Sequence, residues 1–425
     1  MAMDTRKWTA YLILLVAGYA AGIGTLGLVP QFWLKYGTNG LGAYILFTVA
    51  FMYLAITEAE AVQRSRYHFV ELYTKLTPYR GMLIAAFVLN VLFLSYYTAN
   101  VGLTLLSPFL GTGTMGRLIA KILIIVLAYL IISRAKEKTF LIMAWGGITF
   151  ILLVVLLGIL FRTTISPDNA YLQMANGMLH ASHPITLALL RDAAIRAIYG
   201  VGLGFMFYLM LGSFLGDRFN AKVIIGGGVL IQVLVGIMGT YTLIYGASQA
   251  SPGLLLNFAT GGEEAALKFM GELVTYLTPL QTLLIGLGLF MAGITSIIPI
   301  FETALQMVPA LMGVGRKQGA NYVAGIVLIL GLVNAVPLVA DISLQAVNIA
   351  LFITAIFEAI PLVYRLKHVT LPERAIAAIG IVMFAVLGIE TLHNVTTMGT
   401  QYWASVIIAL AVLVIGVGVR SPPGE

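Results

Sequence analysis

Apolar stretches about as long as a lipid bilayer is thick recur from one end of the chain to the other. Each can cross a hydrocarbon core of roughly 30 Å as a helix. Because lipid offers no water to a free backbone, spanning segments must bond their N–H and C=O groups internally. Only 10% of the 425 residues are charged, against about a quarter in a soluble domain. The sequence therefore predicts an all-α integral membrane protein with no separate soluble domain.

The stretches predict about twelve transmembrane helices. We assign one domain to residues 1–425, with five helices in 5–161, five in 187–365 and two more in 372–420. The predicted segments are Tyr11–Pro30, Tyr44–Ala55, Met82–Leu106, Leu118–Ile132, Phe140–Phe161, Ala188–Leu215, Val223–Tyr245, Leu280–Met312, Tyr322–Ala340, Leu344–Tyr364, Ala375–Ile389 and Trp403–Val419.

The net charge of +7 follows the predicted topology. With both termini in the cytoplasm, most of the 24 Lys and Arg residues fall in the inside loops, as the positive-inside rule requires. The basic excess therefore indicates a multi-pass protein of the plasma membrane, and no nucleic-acid partner is expected. The absence of cysteine excludes thiol catalysis, disulfides and cysteine metal sites.

Two of the predicted helices contain closely spaced glycines. The first holds Gly22 and Gly24 before Pro30, and the sixth holds Gly202 and Gly204. Gly-x-Gly lowers helix propensity and lets the backbone open, which is tolerated at membrane depth only where it lines a cavity. The alternative is that these glycines only allow close helix packing.

The two interrupted helices occupy equivalent places in the two five-helix sets, which have opposite orientation in the membrane. Broken helices at equivalent places in inverted repeats are the best sequence indication of a transporter binding site. Free amides at half-helix ends attract a carboxylate, and free carbonyls attract a cation. The sequence therefore predicts a site for a small solute between the two breaks.

The eighth segment carries adjacent hydroxyls at Thr295 and Ser296. Beside an opened first helix, they would complete a cage of oxygens suited to a hard monovalent cation, by analogy with other oxygen-ligand sites. The alternative is that each hydroxyl bonds back to a carbonyl one turn earlier.

Acidic residues are few within the predicted segments. Glu302 and Glu358 lie inside them and are functional-site hypotheses by default. Each is equally open to a structural role as the partner of a backbone end. Glu58, Glu60 and Asp192 lie nearer predicted helix ends, where we expect them to be solvated.

Five motifs, in order along roughly residues 5–365, resemble the neurotransmitter:sodium symporter family, especially its prokaryotic amino-acid transporters. They are Gly18-Tyr-Ala-Ala-Gly22-Ile-Gly24 followed by Pro30, Asn39-Gly-Leu-Gly-Ala-Tyr44, Tyr96-Tyr97 before Thr104-Leu105, Gly202-Leu-Gly204-Phe205, and Ala292-Gly-Ile-Thr295-Ser296 with Glu302. The resemblance implies two inverted five-helix repeats with broken helices 1 and 6.

The resemblance also implies roles for individual residues. Tyr97 and the amides of Ile23 and Gly24 would bind a substrate carboxylate; without the resemblance, Tyr97 would be read as an ordinary packed tyrosine. The implied substrate-binding residues are Ala20, Gly22, Ile23, Gly24, Phe93, Tyr97, Tyr199, Gly200, Gly202, Phe205, Ser296 and Ile300. The implied sodium ligands are the carbonyls of Gly18, Ala21 and Ala292 and the hydroxyls of Thr295 and Ser296.

The chain also departs from the family pattern. Thr25 and Gly200 stand where the family has ligands of a first sodium site, and Asn220 is the candidate nearest to a third ligand, so that site is in doubt. Leu28 replaces an arginine of the outer gate. Arg196, three residues before Tyr199 and on the same helix face, predicts a relocated gate with Asp341. The alternative is that Arg196 snorkels to the membrane surface.

These observations favour a secondary active transporter that carries a neutral, apolar amino acid with sodium ion as the coupled ion. The alternative is a proton-coupled or ion-independent exchanger of the same fold, with Glu302 or Glu358 titrating. No His-Glu-x-x-His or Gly-x-Ser-x-Gly motif occurs, so we do not expect an enzyme. A channel would need a pore-lining ring of residues, and a receptor would not need two broken helices. The expected partners are the amino-acid substrate and the lipid bilayer.

Overall fold

The computed structural model describes residues 5–77, 79–133, 136–248, 252–260, 269, 273, 276–364, 366 and 368–420. The protein is all-helical, with 87% helix and no strand in this part of the chain. Its helices are α1 Thr5–Ala20, α2 Ile23–Ser65, α3 Phe69–Glu71, α4 Arg80–Leu110, α5 Thr114–Ile132, α6 Lys136–Thr164, α7 Ala170–His180, α8 Leu187–Val201, α9 Phe207–Phe214, α10 Ala221–Ser248, α11 Pro252–Thr260, α12 Pro279–Met312, α13 Arg316–Val333, α14 Pro337–Val363, α15 Leu371–Met398 and α16 Trp403–Gly418. A π-helical turn, Leu72–Leu76, follows α3, and a 3-10 turn, Thr400–Tyr402, precedes α16.

Nine helices within the described ranges are long and apolar enough to cross a membrane, which indicates a multi-pass membrane protein. The most apolar windows of α4, α12 and α14 are 83%, 72% and 78% buried, whereas those of α15 and α16 are each 28% buried. The first three helices therefore form the centre of the bundle, and the last two lie at its edge. Each predicted broken helix is present as two helices. The first consists of α1 and the start of α2, and the sixth consists of α8 and α9.

Two predicted boundaries are wrong, and one helix is absent from the prediction. The first predicted segment does not end at Pro30. Its C-terminal part continues into the second predicted segment as one helix, α2, which has 43 residues and bends at Gly37. The ninth segment, predicted to reach Ala340, ends at Val333 as α13. The next helix, α14, already begins at Pro337, whose fixed φ suits the first turn of a helix. The sequence reading also missed α7 between the two five-helix sets.

The bend in α2 requires glycine. Gly37 has φ 58° and ψ −148°, and a Cβ there would lie 1.8 Å from the carbonyl oxygen of Ala181. The N–H of the next residue, Thr38, donates to that same oxygen at 2.9 Å. The segment that follows α7 is therefore attached to the corner of α2.

A buried polar network joins α4, α5, α13 and α14. Lys121 of α5 is fully buried and donates to the carbonyl oxygens of Ser95 at 2.5 Å and of Gly331 at 3.0 Å. Asn334, just after α13, donates to the Ser95 hydroxyl at 2.7 Å and accepts from Ser343 of α14 at 2.7 Å. Because buried polar groups cost free energy unless they are hydrogen-bonded, this network fixes the four helices relative to one another.

Candidate functional site

The first break lies at Ala21 and Gly22, between α1 and α2, and it meets α4 and α12. The Ser296 hydroxyl of α12 donates to the carbonyl oxygen of Tyr19 at 3.1 Å. A Cβ on Gly22 would lie 2.8 Å from Ser296 Oγ and 3.1 Å from the hydroxyl oxygen of Tyr97. The structure therefore brings the opened backbone of the first break against Tyr97 and Ser296, as the sequence reading expected.

The second break, residues 202–206 between α8 and α9, has a left-handed backbone at three positions. Gly202 and Gly204 have φ angles of 88° and 90°, and Met206 has φ 61°. Glycine adopts these angles freely, whereas a residue with a side chain loses roughly 1–2 kcal/mol there. The glycine spacing noted in the sequence is therefore required by this backbone and does not serve close packing alone.

The polar backbone groups of the second break bond to neighbouring helices. The Tyr19 hydroxyl donates to the Gly202 carbonyl oxygen at 2.7 Å, and the Asn90 side-chain amide donates to the Phe205 carbonyl oxygen at 3.3 Å. The amides of Gly204 and Met206 donate to the two carboxylate oxygens of Glu358, the first at 2.6 Å. The second break is thus braced by α1, α4 and α14.

A cavity of about 130 Å³ lies where the two breaks meet. Every residue in the implied substrate-binding set lines it except Ile23, whose side chain falls outside the described part of the chain. Arg196 and Leu28 line the cavity too. Tyr96 and Asn100 of α4 also line it, and the sequence did not indicate these two as site residues. Asn100 lies three residues after Tyr97 and so shares its helix face, a spacing that could have indicated it.

One wall of the cavity is aromatic. The ring centroid of Phe93 lies 4.9 Å from that of Tyr97, 5.0 Å from that of Phe205 and 6.4 Å from that of Tyr199. The Tyr199 hydroxyl donates to the side-chain oxygen of Asn348 in α14 at 2.7 Å. This bond holds Tyr199 against the cavity, where the rings offer an apolar surface to a ligand.

Four of the five residues implied as sodium ligands, Gly18, Ala292, Thr295 and Ser296, lie where α1 packs on α12. Thr295 donates to the carbonyl oxygens of Met291 at 2.9 Å and Ala292 at 3.0 Å, and Ser296 also donates to Ala292 at 3.1 Å. Both hydroxyls therefore bond to carbonyl oxygens of their own helix, which is the alternative that the sequence left open. A Cβ on Gly18 would lie 3.1 Å from the Cβ of Thr295. A hydroxyl that donates its proton keeps two lone pairs, so both oxygens can still coordinate a cation.

The position of the doubtful first sodium site holds an amide side chain. Gln232 of α10 donates to Tyr44 at 2.8 Å and to the Thr25 hydroxyl at 3.4 Å. A Cβ on Gly200 would lie 3.0 Å from the same amide nitrogen. Asn220 instead accepts from an amide at the start of α10. The side-chain oxygen of Gln232 is buried and accepts no hydrogen bond from the described residues, so the contacts of this amide neither establish nor exclude a cation here.

The acidic residues fall into two groups. Glu302 forms a two-pronged ion pair with Arg316, with N–O distances of 2.7 Å at both oxygens, so its charge is compensated. Glu358 holds the amides of the second break. These contacts are compatible with the structural role that the sequence reading left open, and they do not exclude the functional one.

Of the three acids expected to be solvated, Glu58 is the exception. Its side chain is 0% exposed, and neither carboxylate oxygen has a hydrogen-bond partner in the described part of the protein. Glu60 remains partly exposed and lies 3.8 Å from Lys222, and Asp192 pairs with Arg191 at 2.9 Å. The expectation for Glu58 is wrong because α9 and α14 cover this part of α2.

The two predicted gate residues lie on different helices, Arg196 on α8 and Asp341 on α14, and their pairing stays a prediction. Arg196 lines the cavity, but Asp341 accepts a hydrogen bond from the hydroxyl of Tyr402, in the 3-10 turn before α16. The next residue, Ile342, accepts from Ser405 of α16 at 2.7 Å. These two bonds direct the first turns of α14 toward α16, which explains why Asp341 faces Tyr402.

No protein-family model matches the chain, and no curated protein matches it at a significant level. The helices by themselves indicate a multi-pass membrane protein. Function is therefore inferred from the chemistry of the cavity and the two breaks.

Proposed function

We propose that the protein is a secondary active transporter that moves a neutral, apolar amino acid together with sodium across the plasma membrane. The observation that carries this proposal is the meeting of two broken helices at one largely apolar cavity. In the proposed topology, twelve crossings comprise two inverted five-helix repeats and two further helices, with both termini in the cytoplasm. Opened backbone at membrane depth is costly unless it lines a binding site, and here it lines the cavity.

The carboxylate of the substrate would bind at the first break. A helix leaves its first amides without intrahelical partners, and its dipole places positive potential there. Since α2 begins at Ile23, the amides of Ile23 and Gly24 belong to this set. The hydroxyl of Tyr97 is close enough to Gly22 to complete the group of donors. The second break is less suited, because its amides at Gly204 and Met206 already donate to Glu358.

The substrate side chain would face the aromatic wall formed by Phe93, Tyr199 and Phe205. No carboxylate lies among the described residues that line the cavity. A cationic side chain would therefore lack a counter-charge, and a polar one would have to give up its hydration against the rings. These features support a neutral, apolar side chain.

Sodium would bind between α1 and α12, where carbonyl and hydroxyl oxygens converge. The alternative is a proton-coupled or ion-independent exchanger; of its two candidate residues, Glu302 is ion-paired with Arg316. Uptake of radiolabelled apolar amino acids into proteoliposomes, driven by an inward sodium gradient or by an inward proton gradient, distinguishes the two functions.

The decisive variant is the double substitution Thr295→Ala/Ser296→Ala. It removes two of the five implied ligands and should abolish the stimulation of uptake by sodium. Thr303→Ala is the matched control, because Thr303 is also buried in α12 and its hydroxyl also bonds back to a helix carbonyl, at 2.8 Å. If uptake by the double variant depends on sodium as strongly as uptake by the Thr303→Ala control does, sodium coupling at this site is refuted.

A further inference from the structure

The side chain of Thr295, one of the implied sodium ligands, packs against glycines of two other helices. A Cβ on Gly18 of α1 would lie 3.1 Å from the Cβ and 3.4 Å from the Cγ2 of Thr295. A Cβ on Gly146 of α6 would lie 2.7 Å from the same Cγ2 atom. Because Thr295 is buried, its methyl group fills a space that exists only where these glycines have no side chain.

The next residue of α6, Gly147, brings that helix close to α1. A Cβ on Gly147 would lie 2.8 Å from the carbonyl oxygen of Leu14 and 3.5 Å from the Cα of Gly18, both in α1. Residues without side chains allow two helix backbones to approach this closely. The backbone of α6 therefore touches α1 at Gly147 and lies against α12 at Gly146, so α6 forms a third side of the place where α1 packs on α12.

The position of the Thr295 methyl group determines where the Thr295 hydroxyl points. Cγ2 and Oγ1 are bonded to the same Cβ, and a β-branched side chain is stiff about χ1, so one cannot rotate without the other. With Cγ2 beside Gly146, Oγ1 donates to the carbonyl oxygens of Met291 at 2.9 Å and Ala292 at 3.0 Å. The Ala292 carbonyl is itself an implied sodium ligand. The contact with Gly146 therefore fixes the Thr295 hydroxyl relative to another oxygen of the proposed cation site.

A side chain at position 146 would disturb this arrangement through one atom. Carbon atoms in contact are normally about 3.5–4.0 Å apart, so a Cβ on Gly146 at 2.7 Å forces Cγ2 of Thr295 to move. The next nearest atom, Met291 Cε, would lie at an ordinary 3.8 Å. Because the displaced atom belongs to a stiff side chain that also packs on Gly18, the Thr295 hydroxyl must move with it.

We infer that Gly146 is a positioning residue of the cation site. Its missing side chain makes room for the Thr295 methyl group, and the resulting contact directs the Thr295 hydroxyl toward the ion. The inference rests on the proposed binding of sodium between α1 and α12, and it adds α6, which supplies none of the implied ligands, to the helices that the site needs. It also gives a reason for threonine rather than serine at position 295, because the methyl group holds the hydroxyl in place.

Three variants separate the contact from the hydroxyl. Groups that orient a metal ligand typically change metal affinity by 10- to 100-fold, so Gly146→Ala should raise the sodium dissociation constant by roughly that factor. Thr295→Ser keeps the hydroxyl but loses the methyl group; a hydroxyl that can occupy three staggered positions binds up to about threefold more weakly. Gly146→Ala/Thr295→Ser lacks the clashing Cγ2 atom, so it should bind sodium as Thr295→Ser does and more tightly than Gly146→Ala.

Sodium binding is measured on the purified protein without any amino acid. The melting temperature is followed as sodium chloride replaces choline chloride at constant total concentration, and the sodium dissociation constant is obtained from the stabilisation that bound sodium gives. The matched control is Gly158→Ala in the same helix, whose Cβ would also lie too close to a threonine, 2.8 Å from Thr242 Oγ1 of α10. Gly158→Ala should lower the melting temperature without sodium and leave the sodium dissociation constant unchanged.

The rescue by serine decides the outcome. Wild-type sodium affinity in Gly146→Ala, or a double variant that binds sodium as weakly as Gly146→Ala, would overturn the inference. If Gly146→Ala does not fold, Thr295→Ser is compared with Thr303→Ser, which shortens another buried threonine of α12; equal sodium affinities in these two variants would also overturn it. A wild type that sodium does not stabilise would refute the proposed sodium coupling and this inference with it, whereas wild-type sodium binding that survives in Gly146→Ala would refute the positioning role alone.

Discussion

The substitution Gly22→Ala tests whether the first break is the substrate and sodium site. Gly22 has φ −72° and ψ −173°, a conformation open to any residue, so alanine adds only a methyl group and no backbone strain. That methyl would lie 2.8 Å from Ser296 Oγ and 3.1 Å from the Tyr97 hydroxyl oxygen. Ser296 cannot yield freely, because it donates to the carbonyl oxygens of Tyr19 and Ala292.

The expected effect follows from displacement of the groups that would bind the ligand. If the methyl group moves the Tyr97 hydroxyl out of reach, one hydrogen bond to a charged group is lost, typically about 1.5–3 kcal/mol, which corresponds to roughly 10- to 150-fold weaker binding of the amino acid. The matched control is Gly42→Ala in the same helix α2, outside the cavity, where a Cβ would meet no atom within 4 Å. A thermal-shift screen of the twenty amino acids, with and without sodium, first identifies a ligand through the stabilisation that binding gives. Binding of that radiolabelled ligand to purified protein then measures the loss.

The comparison of the two alanine variants decides the outcome. Gly22→Ala should weaken binding at least fivefold more than Gly42→Ala, while both keep the helical circular-dichroism spectrum and the elution volume of the wild type. Equal affinities in two well-folded variants would show that the space between Ser296 and Tyr97 is not where the ligand or the ion binds.

Three further outcomes follow from the site. Tyr97→Phe removes one hydrogen bond to a charged group, worth about 1.5–3 kcal/mol, so the affinity for the amino acid should fall tenfold or more. Unchanged affinity in Tyr97→Phe would mean that Tyr97 is only packed. An amino-acid amide, which lacks the carboxylate, should not compete for uptake. Asp341→Asn and Tyr402→Phe remove the same hydrogen bond, so the variant with both substitutions should melt no lower than the less stable single variant. Asp341→Asn and Arg196→Gln should instead have additive effects on the melting temperature. Non-additive effects of Asp341→Asn and Arg196→Gln would support the gate that the sequence predicts. Gly204→Ala places a side chain at φ 90° and 2.8 Å from a carbonyl oxygen of α14, so it should lower the melting temperature more than Gly216→Ala does, and equal melting temperatures would contradict the left-handed backbone.

The two breaks could be predicted from sequence because the absence of a side chain at Gly22, Gly202 and Gly204 acts on the backbone locally. The grouping of Thr295 and Ser296 with the first break was also predicted, because the resemblance to a known family supplied the long-range contact that spacing alone cannot give.

What the sequence could not indicate depends on packing between distant elements. Glu58 looked solvated by its place near a predicted helix end, yet α9 and α14 cover it. Asp341 was assigned to Arg196 by analogy, yet its direction is set by Tyr402 and Ser405, which lie some sixty residues later in the sequence. Gln232 contacts Thr25 and Tyr44, and no local pattern distinguishes an amide inside a helix bundle from one on its surface.

The buried position of Lys121 has a consequence for how the protein is made. A lysine near the centre of a spanning helix costs about 2.5–3.5 kcal/mol on insertion into the membrane. One of its two carbonyl partners, on Ser95, belongs to the preceding long helix and is synthesised first. The other, on Gly331, follows 210 residues later, which at roughly 5–20 residues per second takes about 10–40 s of translation. During that time α5 must stay beside α4 with half of its hydrogen bonds unmade, so the two helices are expected to leave the translocon as a pair.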